Sequence, residues 1–181
     1  MGNAQEKVIE RSEVFLERVA TPIGSLLVAS DETHLRAVQF ADDEQRLIAM
    51  LARHWGPSRI HKQRGTLGIA VRFERYFGGE LSAIDDIPVA TNGAPFESSV
   101  WDALRTIPAG SVTTYGALAV ALGHTVAASR AVGLANGANP IPIVLPCHRV
   151  IGANGKLTGY GGGMERKRWL LHHEGVLLVG A

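Results

Sequence analysis

The sequence NPIPIVLPCHRV occupies residues 139–150 and is apolar, with prolines at positions 140, 142 and 146. Proline has no backbone N–H and disfavours helix in the residue before it, so the pattern predicts an extended, buried segment and not a helix. Near its end lies Cys147, the only cysteine of the chain. A single cysteine excludes an internal disulfide framework and any multi-cysteine metal site within the chain.

Helical patterns lie on both sides of this segment. Before it, we predict helices from Pro95 to Pro108, over residues 113–122 with a threonine N-cap, and over residues 126–136 with Gly137 at the stop position. After it come a glycine-rich loop, 152–163, and a last helix, about 164–173, that stops at Gly175. The second and third helices, joined by a tight glycine-containing turn, are typical of a helix-turn-helix.

The first half of the chain predicts an antiparallel sheet with helices. Three apolar runs, at 15–19, 26–29 and 35–40, are separated by turn residues and read as a β-meander. Helical spacing follows over residues 42–55 and 67–77, and residues 80–93 read as irregular or as a strand. We therefore predict an α/β protein of two domains, residues 1–91 and 92–181, the second mainly helical.

Composition indicates a globular protein. Hydrophobic residues make up 46% and charged residues 19% of the 181 residues, which excludes intrinsic disorder. No apolar run reaches the ~18 residues of a membrane helix, and the charged N-terminal sequence lacks the apolar core of a secretory signal. The sequence thus predicts a cytoplasmic protein without a membrane partner.

Charge is distributed unevenly along the chain. The net charge is +1, with 11 basic and 13 acidic residues in 1–90 but 7 basic and 4 acidic residues in 91–181. A mildly basic second half can assist nucleic-acid binding but does not establish it.

Two interpretations of Cys147 are open. A lone cysteine is commonly a small buried hydrophobic residue. Here, however, His148 and Arg149 follow it directly, and both an imidazole and a cation favour the thiolate, so this reading predicts an activated nucleophile with a pKa below about 8.5. Adjacent residues of an extended chain point to opposite faces, so His148 needs a bent backbone or a bridging water to reach the sulfur.

The helix predicted over residues 126–136 is built almost entirely of small residues. Arg130 is its only charge, so it lacks the long polar side chains that read base edges in the major groove. It suits close backbone approach in a minor groove with one inserted arginine, which predicts DNA binding with little sequence preference. The alternative is an ordinary helical hairpin packed in a core.

At this point the sequence resembles a family. PCHRV, residues 146–150, is similar to the active-site motif of the O6-alkylguanine-DNA alkyltransferases of bacterial type. The resemblance extends over PFESSVWDALRTIPAG, TTYGALA, RAVGLANGANPIPIVLPCHRVIGANGKLTGYGGG and KRWLLHHEG, and more loosely over TPIGSLLVA and YFGGEL in the first half. It implies a ribonuclease-H-like N-terminal domain and a C-terminal domain with a winged-helix-like helix-turn-helix.

The resemblance also implies a function and a catalytic set. The family carries out suicide DNA repair, an irreversible, single-turnover transfer of an alkyl group from O6 of guanine, and possibly O4 of thymine, to a cysteine. Cys147 matches that acceptor, His148 the imidazole that deprotonates it through a water, and Glu174 the carboxylate that orients the imidazole. Asn139 matches the hinge between the active-site segment and the recognition helix.

Further residues match the family's binding surfaces. Tyr115 matches the tyrosine that helps to rotate the target nucleotide, and Arg130 the arginine that fills the gap left in the duplex. The expected DNA-binding residues are Tyr115, Arg130, Ala131 and Gly133, and the expected substrate-pocket residues are Pro146, Val150, Tyr160 and Gly161. The resemblance implies no cofactor, no metal, a monomer and double-stranded DNA carrying alkylated bases as partner.

Two other functions stay open on the sequence. One is a cysteine hydrolase using Cys147, His148 and Glu174, although such enzymes usually bring the histidine from a distant segment. The other is a DNA-damage binder that uses the helix-turn-helix alone, against which the presence of Cys147 argues. The run Arg166-Lys167-Arg168 is expected to be a solvated face.

Overall fold

The computed structural model describes residues 12–65 and 67–177. Its first part is a four-stranded sheet with two helices: β1 (Ser12–Val19), β2 (Leu26–Ser30), β3 (Leu35–Phe40), α1 (Glu44–Trp55), β4 (Ser58–His61) and α2 (Ile69–Phe77). The strand order is β3-β2-β1-β4. The β-meander and both helices are confirmed.

The fourth strand was not predicted. β4 pairs in parallel with β1 at the edge of the sheet, with Val14 opposite Ile60. Its sequence, SRIH, shows no clean alternation of apolar and polar residues, because an edge strand needs only one neighbour and little burial. Residues 81–84, which were expected to be irregular or a strand, form a 3-10 turn.

The second part is mainly helical, as predicted. It contains α3 (Pro95–Leu104), β5 (Thr113–Thr114), α4 (Tyr115–Ala121), α5 (Ser129–Gly137), β6 (Val150–Ile151) and α6 (Met164–His173). The side chain of Thr114 caps α4 by accepting a hydrogen bond from the Ala117 N–H at 3.1 Å. Residues 126–128, expected within the third helix of this half, form a 3-10 turn before α5.

The sheet is packed on both faces. Along β2, Leu27 and Ala29 point to one side and contact the apolar stripe of α1, including Leu47. Leu26 and Val28 point to the other side and join a larger core. That core extends without interruption from the sheet into the helical half, where its members include Trp101, Leu118, Val150 and Leu170.

No helix within the described residues is both long and apolar enough to cross a membrane.

Candidate active site

Cys147 lies on a turn, not on an extended strand. Residues Cys147–Arg149 form a 3-10 turn in which the Arg149 N–H donates to the Pro146 carbonyl at 2.9 Å. The prediction of an extended segment is therefore wrong over residues 147–149, and also at residues 143–144, which form a turn.

Asn139 ties the end of α5 to this segment. Its Nδ2 donates to the Leu145 carbonyl at 2.7 Å, and its Oδ1 accepts from the Ile141 N–H at 2.9 Å. Between these anchors the backbone of Ile143 has a φ of 78°, which is rare for a β-branched residue and needs surrounding structure to hold it. This arrangement fits the hinge position expected of Asn139.

His148 and Glu174 are both buried and are joined by a hydrogen bond. The distance from His148 Nε2 to Glu174 Oε1 is 3.0 Å, which joins the two residues that the sequence placed 26 positions apart. Burial by itself would raise the pKa of Glu174. Hydrogen bonds from His148 and Arg149 outweigh that effect and hold the pKa far below its usual range. Glu174 is thus an anion, so Nε2 carries the proton and Nδ1 is left as an acceptor.

Two further residues complete the surroundings of Glu174: Arg149, which was expected to act as a cation beside the sulfur, and Tyr76, which the sequence did not indicate. Arg149 donates to it twice, from Nε to Oε2 and from Nη2 to Oε1, both at 2.8 Å. Tyr76 on α2 donates its hydroxyl to Oε1 at 2.7 Å. Arg149 therefore compensates Glu174 and does not act as a free cation beside the sulfur.

The expected low pKa of Cys147 is not found. Burial raises the pKa of the thiol to about 11. The Asn139 side chain and the Lys167 ammonium lower that pKa, but their effect is smaller than that of burial. Burial likewise lowers the pKa of His148, despite the favourable interaction with Glu174. The resting pair is therefore a neutral thiol and a neutral imidazole, and deprotonation has to accompany the reaction.

Cys147 opens onto a cavity of about 220 Å³ between the two halves of the chain. This is smaller than the roughly 300–1,000 Å³ of sites for larger ligands, and it fits one small planar group. The expected residues that line it are Tyr115, Gly133, Asn139, Cys147, Tyr160 and Gly161. The sheet half contributes Gln39, Phe40 and Arg46, none of which the sequence indicated.

Two expected pocket residues lie elsewhere. Pro146 borders a different surface groove, and Val150 is wholly buried in the core. Because Cys147 begins a turn, the residues directly before and after that turn point away from the cavity. Arg130 and Ala131 are exposed on α5, outside the cavity, as a surface that meets DNA would require.

The glycine-rich loop forms one wall of the cavity, and its backbone at Gly162 lies close to two aromatic rings. A Cβ on Gly162 would lie 2.7 Å from the Tyr160 ring and closer still to the Phe40 ring, so only glycine fits. Arg166 fastens this wall to the sheet half, with its guanidinium carbon 3.9 Å from the Phe40 ring centre and hydrogen bonds to the Ile23 and Gly162 carbonyls.

The run at 166–168 is therefore not a solvated face throughout. Lys167 is wholly buried, and its ammonium donates to the Val150 carbonyl at 2.7 Å and the Thr158 carbonyl at 2.8 Å. Burial lowers its pKa to about 8. The helical spacing contained the signal, because Lys167 precedes the buried Leu170 and Leu171 by three and four positions.

Comparisons with known proteins identify one family over both halves of the chain. Residues 15–91 match the family model of the 6-O-methylguanine DNA methyltransferase ribonuclease-like domain, and residues 95–176 match the model of the DNA binding domain of the same family. The methylated-DNA–protein-cysteine methyltransferase of Shigella flexneri is 51% identical over 166 residues, covering 90% of this chain and 96% of that protein.

Solved structures show the same fold. The crystal structure of the Mycobacterium tuberculosis O6-methylguanine methyltransferase has a TM-score of 0.73 at 41% identity, covering 89% of this chain and 92% of that one. A crystal structure of Mycobacterium tuberculosis OGT in complex with DNA has a TM-score of 0.75 at 39% identity, covering 90% and 93%.

Proposed function

Because the chain belongs to the 6-O-methylguanine DNA methyltransferase family, we propose that it repairs DNA by taking an alkyl group from O6 of guanine onto Cys147. The observation that carries this is the arrangement around His148. Its Nε2 is hydrogen-bonded to the buried Glu174, its Nδ1 has no partner among the described residues, and Cys147 directly precedes it in the chain. A nucleophile, a base and an orienting carboxylate are thus present together.

The transfer is a displacement at the alkyl carbon. The sulfur forms a bond to that carbon while the carbon–O6 bond breaks, and the thiol proton passes through a water to Nδ1 of His148. Glu174 stabilises the imidazolium that results. Guanine leaves after accepting a proton or hydrogen bond, for which Tyr115 on the cavity wall is the candidate.

The product is a thioether, which no group of this site can cleave. Each molecule therefore acts once, as a transferase by chemistry without turnover. A cysteine hydrolase would need hydrogen-bond donors directed at an oxyanion. The raised pKa of Cys147 argues for chemistry that begins only when substrate is in place.

The DNA-facing surface follows from α5. A reacting carbon inside a base stack is out of reach of a buried thiol, so the nucleotide must be flipped into the cavity. The exposed, small Ala131 allows a close approach to the minor groove, and exposed Arg130 can fill the gap that the nucleotide leaves. Such contacts predict binding to alkylated double-stranded DNA with little sequence preference.

We also propose several finer assignments. The parallel β4 beside an antiparallel meander supports a ribonuclease-H-like first domain, and the β5-β6 pair next to α4 and α5 supports a winged helix-turn-helix. The domain boundary stays at residues 91 and 92, the protein acts as a monomer in the cytoplasm, and O4-alkylthymine is a second substrate class.

The test is stoichiometry measured by mass. The protein is mixed with an excess of a duplex carrying one O6-methylguanine, and the intact protein is weighed with time. We expect one methyl group per chain, located on Cys147, after which the reaction stops. Cys147→Ala should show no gain in mass but should still bind the duplex.

Two results would overturn the proposal. Continued release of repaired duplex beyond one equivalent would favour a turnover enzyme. Binding of the damaged duplex by the intact chain, without any gain in mass, would favour the damage binder.

A further inference from the structure

His173 directly precedes Glu174 at the end of α6 and has no part in the mechanism above. Its side chain is half-buried, and its Nε2 lies 2.8 Å from the backbone carbonyl oxygen of Tyr76 at the end of α2. His173 and Tyr76 are 97 positions apart in the chain. The contact therefore joins the ends of two helices, and each end carries one partner of the hydrogen bond between Tyr76 and Glu174.

The partner atom determines which nitrogen of His173 carries a proton. A carbonyl oxygen only accepts hydrogen bonds, so Nε2 is protonated and donates. The neutral ring with its proton on Nε2 and the charged ring both make this contact. The Tyr76 carbonyl also accepts from the Gly79 N–H at 3.0 Å, so two donors serve it at the end of α2, where carbonyls lack partners within the helix.

Aromatic rings hold the imidazole of His173 in place. It is stacked on the ring of Trp169, one helical turn earlier in α6, with the ring centres 4.8 Å apart and an angle of 20° between the ring planes. The Tyr76 ring meets it edge to face at 5.2 Å, and the centre of the Phe77 ring lies 6.1 Å away. Because these contacts restrict rotation of the imidazole, its Nε2–H keeps its direction toward α2.

The backbone that follows His173 fixes the position of Glu174. α6 ends in a Schellman motif, in which the Gly175 N–H donates to the His172 carbonyl and the next N–H donates to the Leu171 carbonyl, both at 2.9 Å. Gly175 has a φ of 82°, the left-handed conformation that this motif requires. Glu174 is the cap residue of α6, so a contact that holds His173 also holds the backbone of Glu174.

The ends of α2 and α6 are therefore joined by two hydrogen bonds. One runs from His173 to the Tyr76 backbone, and the other runs from the Tyr76 hydroxyl to Oε1 of Glu174 at 2.7 Å. The same Oε1 accepts from His148, the base of the mechanism. Hydrogen bonds weaken steeply as their distance and angle depart from the optimum, so a shift of α2 against α6 would loosen the contact between the hydroxyl and the carboxylate.

We propose that His173 is a positioning residue for alkyl transfer, which acts by holding the Tyr76 hydroxyl against Glu174. The carboxylate in turn keeps the imidazole of His148 in its reactive orientation. This inference rests on the proposed function. His173 is not among the residues that line the cavity, so it acts on the chemical step through Tyr76 and not on the binding of the damaged duplex.

The test measures single-turnover methyl transfer from a duplex carrying O6-methylguanine at increasing protein concentration. It yields a limiting rate, which reports the chemical step, and a half-saturating concentration, which reports binding of the duplex. His173→Phe keeps an aromatic ring beside Trp169 but has no donor. His173→Gln lacks the ring but places an amide N–H near the position of Nε2. His172→Phe changes the exposed neighbour and is the matched control.

We expect His173→Phe to lower the limiting rate about three- to tenfold, the range that one hydrogen bond of ordinary strength covers, and to leave the half-saturating concentration unchanged. His173→Gln should recover most of the rate, and His172→Phe should match the natural protein. Tyr76→Phe combined with His173→Phe should be no slower than Tyr76→Phe alone, because the hydroxyl through which His173 acts is already absent.

Four outcomes would contradict the inference. They are an unchanged limiting rate in His173→Phe, a loss that His173→Gln does not restore, losses that multiply in the double variant, and a loss confined to the half-saturating concentration. If His173→Phe does not fold, as judged by thermal unfolding, His173→Leu, which also lacks a donor, decides in the same way. Absence of methyl transfer by the natural protein would instead overturn the proposed function, and the inference with it.

Discussion

The hydroxyl of Tyr76 donates a 2.7 Å hydrogen bond to Oε1 of Glu174, across 98 positions of sequence and from the sheet half into the catalytic set. The same oxygen accepts from His148. The orientation of the imidazole thus depends on α2, an element with no other role in the chemistry. Burial, followed by the negative carboxylate of Glu174, raises the pKa of the Tyr76 hydroxyl far above its usual range.

Tyr76→Phe should slow methyl transfer several-fold and lower the free energy of unfolding by about 1–3 kcal/mol, the usual loss for a buried hydrogen bond to a charged group. The reason is that Glu174 loses one donor but keeps Arg149 and His148. Single-turnover rates and urea unfolding measure the two effects. Tyr160→Phe is the matched control for stability, because its hydroxyl has no partner among the described residues. Equal losses of stability in both variants would contradict this account.

The pH dependence of thiol labelling tests the raised pKa of Cys147. With that pKa at about 11, iodoacetamide should label the free protein slowly at pH 7, and the rate should rise nearly tenfold for each pH unit up to about pH 10. Glu174→Gln should leave this profile nearly unchanged while it slows methyl transfer, because burial, and not Glu174, sets the pKa. A plateau of labelling below pH 8.5 would show instead a thiolate stabilised in the resting protein.

Lys167 should make stability rise with pH in alkaline solution. Its pKa is lowered to about 8 in the fold from about 10.5, so between these values the unfolded chain binds more protons, and folding is favoured as pH rises. The slope should approach 1.4 kcal/mol per pH unit. The measurement is urea unfolding between pH 8 and 10.5.

Cys147 acts in the opposite direction, since its raised pKa costs stability as pH rises above about 9. The experiment therefore uses Cys147→Ser as background. In that background, Lys167→Met should remove the slope, and Arg168→Met, which alters an exposed neighbour, should keep it. A slope that persists in Lys167→Met would show that another group titrates.

Arg130→Ala should reduce repair of duplex DNA far more than reaction with free O6-methylguanine base. The reason is that a free base leaves no gap in a stack for the arginine to fill. Rates on the two substrates give the comparison, and Arg168→Ala serves as a control that removes the same charge from another exposed position. Equal losses on both substrates in Arg130→Ala would show that the arginine serves the chemistry or the fold.

Local patterns in the sequence predicted most elements of the fold. The meander, the helix bounds near α6 and the threonine cap of α4 follow from residues close in sequence, for which spacing and capping rules hold. β4 was not predicted because its pairing with β1 joins residues more than 40 positions apart, and its four residues show no clear strand pattern.

The sequence likewise predicted only part of the candidate site. The PCHRV motif and the resemblance it carries pointed to Cys147, His148 and Glu174. Tyr76 and Lys167 owe their roles to partners that only the folded chain brings near. A charge run in a helix has the same local pattern whether its members are buried or exposed. The pKa of Cys147 was misjudged for a related reason, since burial outweighs its neighbours.

The burial of Cys147 has a consequence for the lifetime of the protein. Oxidants attack thiolates, and a sulfenic or sulfinic acid at this position would end the activity before any lesion was met. A thiol that is 5% exposed and protonated at neutral pH resists that loss. Each molecule acts only once. Burial slows the reaction of the Cys147 thiol with small electrophiles, and it thereby keeps the thiol available for alkyl transfer.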